Sequence, residues 1–330
     1  MLIAGAVCPH PPLLIPAALG SAASDPPAEL RKVAGAAGQA VSGLAGGRPD
    51  LIVVVGGGAA EREYGADASG GLHAFGVGVT VGPGEPVLPL SLTVGRWLLE
   101  RAGILARGEA PDPGAGLAGT GAGLPGETAG SLPGELAGPP GEQAGIPGGA
   151  GVPGEGAGIA GAGGALGEGA GITGGAGILG EAVSLPGVAK GGGEPGGRGI
   201  AVVFQEVARN AAAGACLKLG RILADRAPRV ALLAMGDSCA RPAREDPDVP
   251  DPAAEDYDEE VAEALAAADA RWLARLDPAL DDELVVAGRA AWQVLAGAAG
   301  GTRMQGRLLY MSAPYGVTYL VASWEPCRTD

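Results

Sequence analysis

The chain has 330 residues and a formal net charge of −15, with aromatic residues at only 3%. So acidic a balance, with no basic stripe, argues against a nucleic-acid partner and mainly implies solubility. Residues 108–198 are mostly Gly, Ala and Pro with scattered Glu and hold no aromatic residue, so only the rest of the chain can build a core, enough for one α/β domain.

Leu2 to Val7 is a short apolar run that stops at Cys8-Pro9-His10-Pro11-Pro12. Such a run fits a strand buried on both faces of a parallel sheet. The prolines cannot continue a ladder, so His10 is expected on a stiff turn at the strand end, where open α/β sheets bind ligands. A histidine in a rigid surface turn is the competing reading. The stretch lacks a basic segment before its apolar run, and Val7 precedes Cys8, so neither a signal peptide nor a lipoprotein site is expected.

Ser24-Asp25-Pro26-Pro27 is expected to open a helix with a side-chain cap, carrying Leu30, Val33, Ala37, Val41 and Leu44 as one apolar stripe until Gly46-Gly47. Leu51–Val55 reads as a second buried strand that stops at Gly56-Gly57-Gly58, completing a βαβ unit. Phe75 to Val81 suggests a further strand or strand-like edge, and Ser91 a cap for a helix with Val94, Trp97, Leu98 and Ile104.

The tract 108–198 contains a tandem repeat in which Gly-Glu pairs recur every 13 residues, at Glu142, Glu155, Glu168, Glu181 and Glu194. Each unit has few large apolar residues, and the Gly-every-third pattern breaks within each unit, which excludes collagen and predicts disorder. Arg107-Gly108 and Arg198-Gly199 flank it, so it reads as an insertion expanded in one loop. Lengthening a short loop to that size costs about 2.5 kcal/mol, at ~0.6 kcal/mol per doubling, which a domain tolerates.

Beyond the tract the periodicity predicts a helix through Val207, Ala211, Leu219 and Leu223, then a strand Arg229–Met235 ending at Gly236-Asp237-Ser238-Cys239-Ala240. An acidic stretch from Glu245 to Glu263 leads into helices carrying Val261, Leu265, Trp272 and Leu276. Asp277-Pro278 caps the next, and Trp292, Val294 and Leu295 lie on a later one. Strands Leu308–Ser312 and Val317–Ser323 flank Ala313-Pro314-Tyr315-Gly316. Cys8, Cys216, Cys239 and Cys327 form no CxxC pair, and two histidines make a structural zinc site improbable. No run reaches the ~20 apolar residues of a membrane span. A reduced, cytoplasmic setting without disulfides is the expectation.

Taken together, CPHPPLLIP from Cys8, MGD from Met235, AAWQVLAGAAGG from Ala290 and APYGVTYLVASW from Ala313 resemble the class III extradiol ring-cleavage dioxygenase superfamily. They are most similar to an actinobacterial branch related to the protocatechuate dioxygenase β-subunit and to Memo-like proteins. The resemblance covers 1–107 and 199–330. It implies one α/β domain with a central, mostly parallel sheet flanked by helices and interrupted by the Gly/Pro-rich insertion.

It also implies a site. Enzymes of this kind hold Fe(II) with two histidines and a carboxylate, leaving positions for catechol and O2. His10 matches the first histidine ligand. The second is expected after Leu51–Val55, where glycines stand, and the carboxylate ligand has no matching position. The acid/base histidine of the Gly-Asp-x-Ser-His motif is replaced: Gly236 and Asp237 match, Cys239 stands for serine and Ala240 for histidine. Asp237 has either a catalytic, pocket-lining role or a local capping role. His73 reads as a surface-loop residue and Cys239 as a structural thiol without a local base.

The expectation is therefore a non-canonical member with a degenerate metal site, holding no cofactor or only weakly bound Fe(II). It would bind a small molecule or protein partner near His10, Gly56–Gly58, Asp237 and Tyr315. The alternatives are an active Fe(II) extradiol dioxygenase and a scaffold working through the Gly-rich tract.

Overall fold

A computed structural model describes residues 1–107, 199–240 and 252–327. The chain is an α/β protein built on one mixed, seven-stranded sheet with helices on both faces. It opens with β1 (Leu2–Cys8), α1 (Ala28–Gly46) and β2 (Leu51–Gly58), then the short strands β3 (Arg62–Tyr64), β4 (Ser69–Gly71), β5 (Thr80–Val81) and β6 (Pro86–Leu88), and α2 (Leu90–Arg101). On the far side of residues 108–198 come β7 (Ala201–Ala208), α3 (Ala213–Ala224), β8 (Val230–Met235), α4 (Pro252–Ala267), α5 (Ala270–Leu273), α6 (Pro278–Leu284), α7 (Arg289–Ala299), β9 (Met304–Ser312) and β10 (Tyr319–Pro326).

The sheet order is β3-β7-β2-β8-β1-β10-β9, so strands from both sides of the tract alternate within it. Its centre is parallel (β7-β2-β8-β1), and β3, β10 and β9 add antiparallel edges. The expected disorder and repeat structure of 108–198, and the acidic residues 245–251, lie outside the described residues.

The period-two alternation of the central strands feeds two cores. Leu51, Val53 and Val55, with Val230, Leu232 and Ala234, face α3, α4, α5 and α7. Ile52 and Val54, with Ala231, Leu233 and Met235, face α1 and α2. The α1 stripe of Leu30, Val33, Ala37, Val41 and Leu44 is wholly buried there, each Leu or Val adding roughly 1.5–3 kcal/mol. A separate three-stranded sheet, β5-β4-β6, packs beside α2.

Several local expectations are corrected. The first helix has Pro27 at its cap with no side-chain hydrogen bond, because Asp25 is drawn to Arg31 at 2.9 Å. The glycines 56–58 do not stop β2 but extend it, pairing with Glu206, Val207 and Ala208. Ser91 lies inside α2 and donates to the Gly57 carbonyl at 2.8 Å instead of capping. Residues 73–75 form a 3-10 turn, and only Thr80–Val81 is strand. Val207 lies on β7, not a helix: Ala201–Ala208 is β-branched and apolar enough for the sheet to claim it, and the helix begins at Ala213. Asp277 does cap α6, accepting from the Ala279 amide at 2.9 Å.

Candidate functional site

The parallel pairing of β1 with β8 sets Cys8 beside Met235, so both strands end at one place. The Gly236 amide donates to the Cys8 carbonyl at 3.0 Å. In Pro9-His10-Pro11-Pro12 only His10 has a backbone N–H, and Asp237 Oδ1 accepts it at 2.8 Å. The turn of β1 is thus tied to the turn of β8 through the one donor the prolines leave.

His10 is buried rather than on the surface, its side chain 7% exposed and that of Asp237 15%. His10 Nδ1 lies 3.6 Å from Asp237 Oδ1, too far for a hydrogen bond, and has no partner. Native proteins rarely leave a buried polar atom unsatisfied, so this nitrogen calls for an explanation. Gly236 permits the geometry: a Cβ there would come within 2.2 Å of the Gly288 Cα. That close approach lets the Ala287 amide donate to the Asp237 carbonyl at 3.2 Å.

The antiparallel neighbour β10 brings its beginning to the same edge. Val7 pairs with Ala322, and β10 begins at Tyr319, three residues before Ala322, towards the edge where β1 ends at Cys8. Tyr319 is buried, 4% exposed. Burial first, then the Asp237 carboxylate and the Tyr315 and Tyr310 phenols, push its hydroxyl well above the ordinary phenol range. Tyr310 donates to Glu29 Oε2 at 3.0 Å, and Tyr315 is 45% exposed at the rim.

The end of β2 contributes differently. A Cβ at Gly56 would come within 2.4 Å of Ser91 Oγ, and one at Gly58 within 2.1 Å of Glu206 Oε1. Both spaces are already filled. The Glu206 carboxylate accepts from the amides of Ala59 (2.7 Å) and Ala60 (3.1 Å) and from the Tyr64 hydroxyl (2.6 Å). Ala240 forms a β-bridge with Val317, and Cys239 is fully buried. His73 is exposed.

Held behind these turns is Asp258 of α4, 1% exposed. It accepts from the Ser238 hydroxyl at 2.5 Å, the Cys239 amide at 3.2 Å and the Thr318 hydroxyl at 2.5 Å. One carboxylate therefore clamps the loop bearing Asp237 to the segment leading into Tyr319. Sequence reasoning missed Asp258, Tyr319 and Glu206. Asp258 had a signal: it lies on the α4 stripe of Ala254, Val261 and Leu265, where an acid is out of place.

The donor set fits a three-ligand iron site poorly. His10 Nδ1 and Asp237 Oδ1 could reach one ion, but Gly56–Gly58 and Ala240 offer no further donor side chain. Among the described residues no group of three or more His, Cys, Asp or Glu side chains is placed to hold a metal. Cavities of about 240 and 200 Å³ lie between α4, α5 and α6, lined by Tyr257, Glu260 and Leu280, and include none of His10, Asp237 and Tyr319. Polar groups left without partners mark a site more specifically than those shallow hollows do.

These features define an α/β protein with a polar, aromatic-rimmed cluster at the carboxyl ends of its central strands. No protein-family model and no curated protein matches the chain. Among the described residues no helix is long and apolar enough to cross a membrane.

Proposed function

We propose that the chain is an extradiol-dioxygenase-like protein whose metal site is degenerate and whose strand-end pocket binds a small molecule. The observation that carries this reading is the buried His10 Nδ1, unpartnered beside Asp237. A polar atom kept dry without a hydrogen bond costs about 1–3 kcal/mol, a cost that a ligand meeting the atom would recover. The filled spaces at Gly56 and Gly58 support loss of the second iron ligand, since a histidine there needs room now held by Ser91 and Glu206. Two donors hold a divalent ion weakly, and outer-shell support does not replace a missing ligand. Four thiols without a disulfide, Cys8, Cys216, Cys239 and Cys327, are consistent with a reduced, cytoplasmic setting.

The test is metal analysis after anaerobic reconstitution, with oxygen uptake in the presence of protocatechuate and catechol. The expected result is substoichiometric iron and no catechol-dependent uptake. One iron per chain, lost together with uptake in His10→Ala, would overturn the reading and restore an active Fe(II) dioxygenase.

A further inference from the structure

A second surface, sharing no residue with the strand-end turns, lies on the side of the sheet that carries α3, α4, α5 and α6. We propose that the groove between α4 and α6 receives the outer face of α3 from a second copy of the chain, so that the protein pairs with itself through these helices.

Each wall of the groove is one helix face. α4 turns Asp256, Tyr257 and Glu260 towards it, and α6 turns Leu280, Glu283 and Leu284, both at helical spacings of three and four. Its two hollows, of about 240 and 200 Å³, share Tyr257, Glu260 and Leu280 and so adjoin. The floor is apolar: Tyr257, Leu276 and Leu284 are buried and Trp272 is half-buried. Leu280, common to both hollows, is 38% exposed. The first hollow is rimmed by the carboxylates of Asp256, Glu260 and Glu283, with no base among the described residues. None of the three forms an ion pair among the described residues.

The outer face of α3 is the complement. Its inner face packs on α7, whose backbone fills the space beside Gly220. Lys218, Arg221 and Ile222, at spacings of three and four, share the face turned outward, and Ile222 is 46% exposed. Ala213–Ala224 contains no acid, and neither base forms an ion pair among the described residues. The exposed bases of α1 are already taken, Arg31 by Asp25 and Lys32 by Glu29.

A small molecule fits this place less well. Ligand pockets hold about 300–1,000 Å³ and bury most of their ligand, and each hollow falls below that range. Two adjoining hollows instead suit apolar side chains delivered from outside on one rigid helix. Ile222 brings such a side chain, and Lys218 and Arg221 bring positive charge to an acidic rim. The chain's net charge of −15 opposes pairing through like surfaces. Joining the basic helix face to the acidic groove removes that repulsion where the copies touch. Both surfaces lie on one side of the sheet, so a two-fold pair can make both contacts at once and close.

The experiment is sedimentation velocity of the full chain over a range of concentrations, beside two charge-reversed variants. One carries Lys218→Glu and Arg221→Glu, the other Asp256→Lys and Glu260→Lys; all four residues are exposed, and melting curves check that each variant folds. The parent is expected to pair reversibly. Each variant alone sets like charges against each other at both contacts and should pair about tenfold or more weakly. The second variant also lowers the overall negative charge, so weaker pairing there does not come from net repulsion. An equimolar mixture of the two restores opposite charges at both contacts and should pair about as well as the parent. Leu280→Ser, which leaves every charge in place, should weaken pairing severalfold through the lost apolar contact. A parent that stays a single chain at every concentration overturns the proposal. So does pairing that both variants keep, or a mixture that stays apart. If a charge-reversed variant does not fold, unchanged pairing in Leu280→Ser overturns it.

Discussion

Replacing Asp258 by alanine tests whether the site is held from behind. The variant strands the Ser238 hydroxyl, the Cys239 amide and the Thr318 hydroxyl, all buried at 2% exposure or less. Hydrogen bonds to a charged group are worth about 1.5–3 kcal/mol each, so three sum to roughly 4.5–9 kcal/mol. Removing a buried charge returns several kcal/mol of desolvation, and the small void can admit water, so the net loss is nearer 3–5 kcal/mol. For a domain of this size ~1 kcal/mol moves the melting temperature by about 2–4 °C, which gives a fall of around 10 °C. Asp258→Asn, which keeps one acceptor, should lose about half as much. Calorimetry gives the stability, and a thiol reagent gives the location. Cys239 is fully buried and Cys327 exposed, so the variant should label Cys239 faster while Cys327 serves as the internal reference. A melting temperature within about 2 °C of the parent, or unchanged Cys239 labelling, refutes the clamp.

Three further outcomes are expected. Gly297→Ala puts a Cβ 2.3 Å from the Leu217 carbonyl where α3 and α7 touch, and should cost about 3 kcal/mol or more, whereas Gly38→Ala in open space on α1 should gain about 0.5–1 kcal/mol; melting curves of the pair decide, and equal losses would contradict the packing. Gly58→His should fold less stably and take up no more iron than the parent, because its Cβ meets Glu206; stoichiometric iron in that variant, by metal analysis, would show that the space can open. Tyr64, Tyr310 and Tyr319 are all pushed upward, burial leading in each case. Raised phenols stabilise the fold below the unfolded value of about 10 and lose that contribution as pH climbs above it. Absorbance titration at alkaline pH should therefore show part of the tyrosine signal appearing only with unfolding, and full ionisation of a still-folded protein near pH 10 would count against it.

Much of the scaffold was legible because it follows from pattern. The unbroken apolar runs of β1, β2 and β8 could be little else than central strands, and the α1 stripe named its buried face residue by residue. The errors fall where tertiary pairing outweighed local signals. Glycines 56–58 read as a stop but are held in strand by β7, and Val207 read as helical although its neighbours alternate well enough for the sheet. At the site, His10 and Asp237 were legible because three prolines and a strand end isolate them. Tyr319 was not, since its place at this edge depends on the antiparallel course of β10, which no local pattern states. Asp258 was passed over within an acidic run, although its place on the apolar stripe of α4 sets it apart from its solvated neighbours.

The mixed character of the sheet explains why chemistry can gather at this edge. In a wholly parallel sheet the carboxyl ends of strands deliver only loops, and a loop residue is held by little besides its neighbours. Here β10 runs the other way, so its first residue, Tyr319, reaches the same edge while still paired in the ladder with Ser312. Its ring is fixed by the sheet, 4% exposed, before any ligand arrives. His10 is fixed by prolines on one side and by Asp237 on the other, and Asp237 by the close approach of Gly236 to Gly288 and by the Asp258 clamp. Each acceptor is thus restrained by a different device, and a ligand ordering none of them retains more of its interaction energy as affinity. Asp258 holds Ser238 and Cys239 in the turn that carries Asp237, so the losses in melting temperature from Asp258→Asn and Asp237→Asn should be coupled, the double variant losing less than the sum of the two. Full additivity of the two losses in thermal melts would mean that Asp258 acts on the fold and not on the turn that carries Asp237.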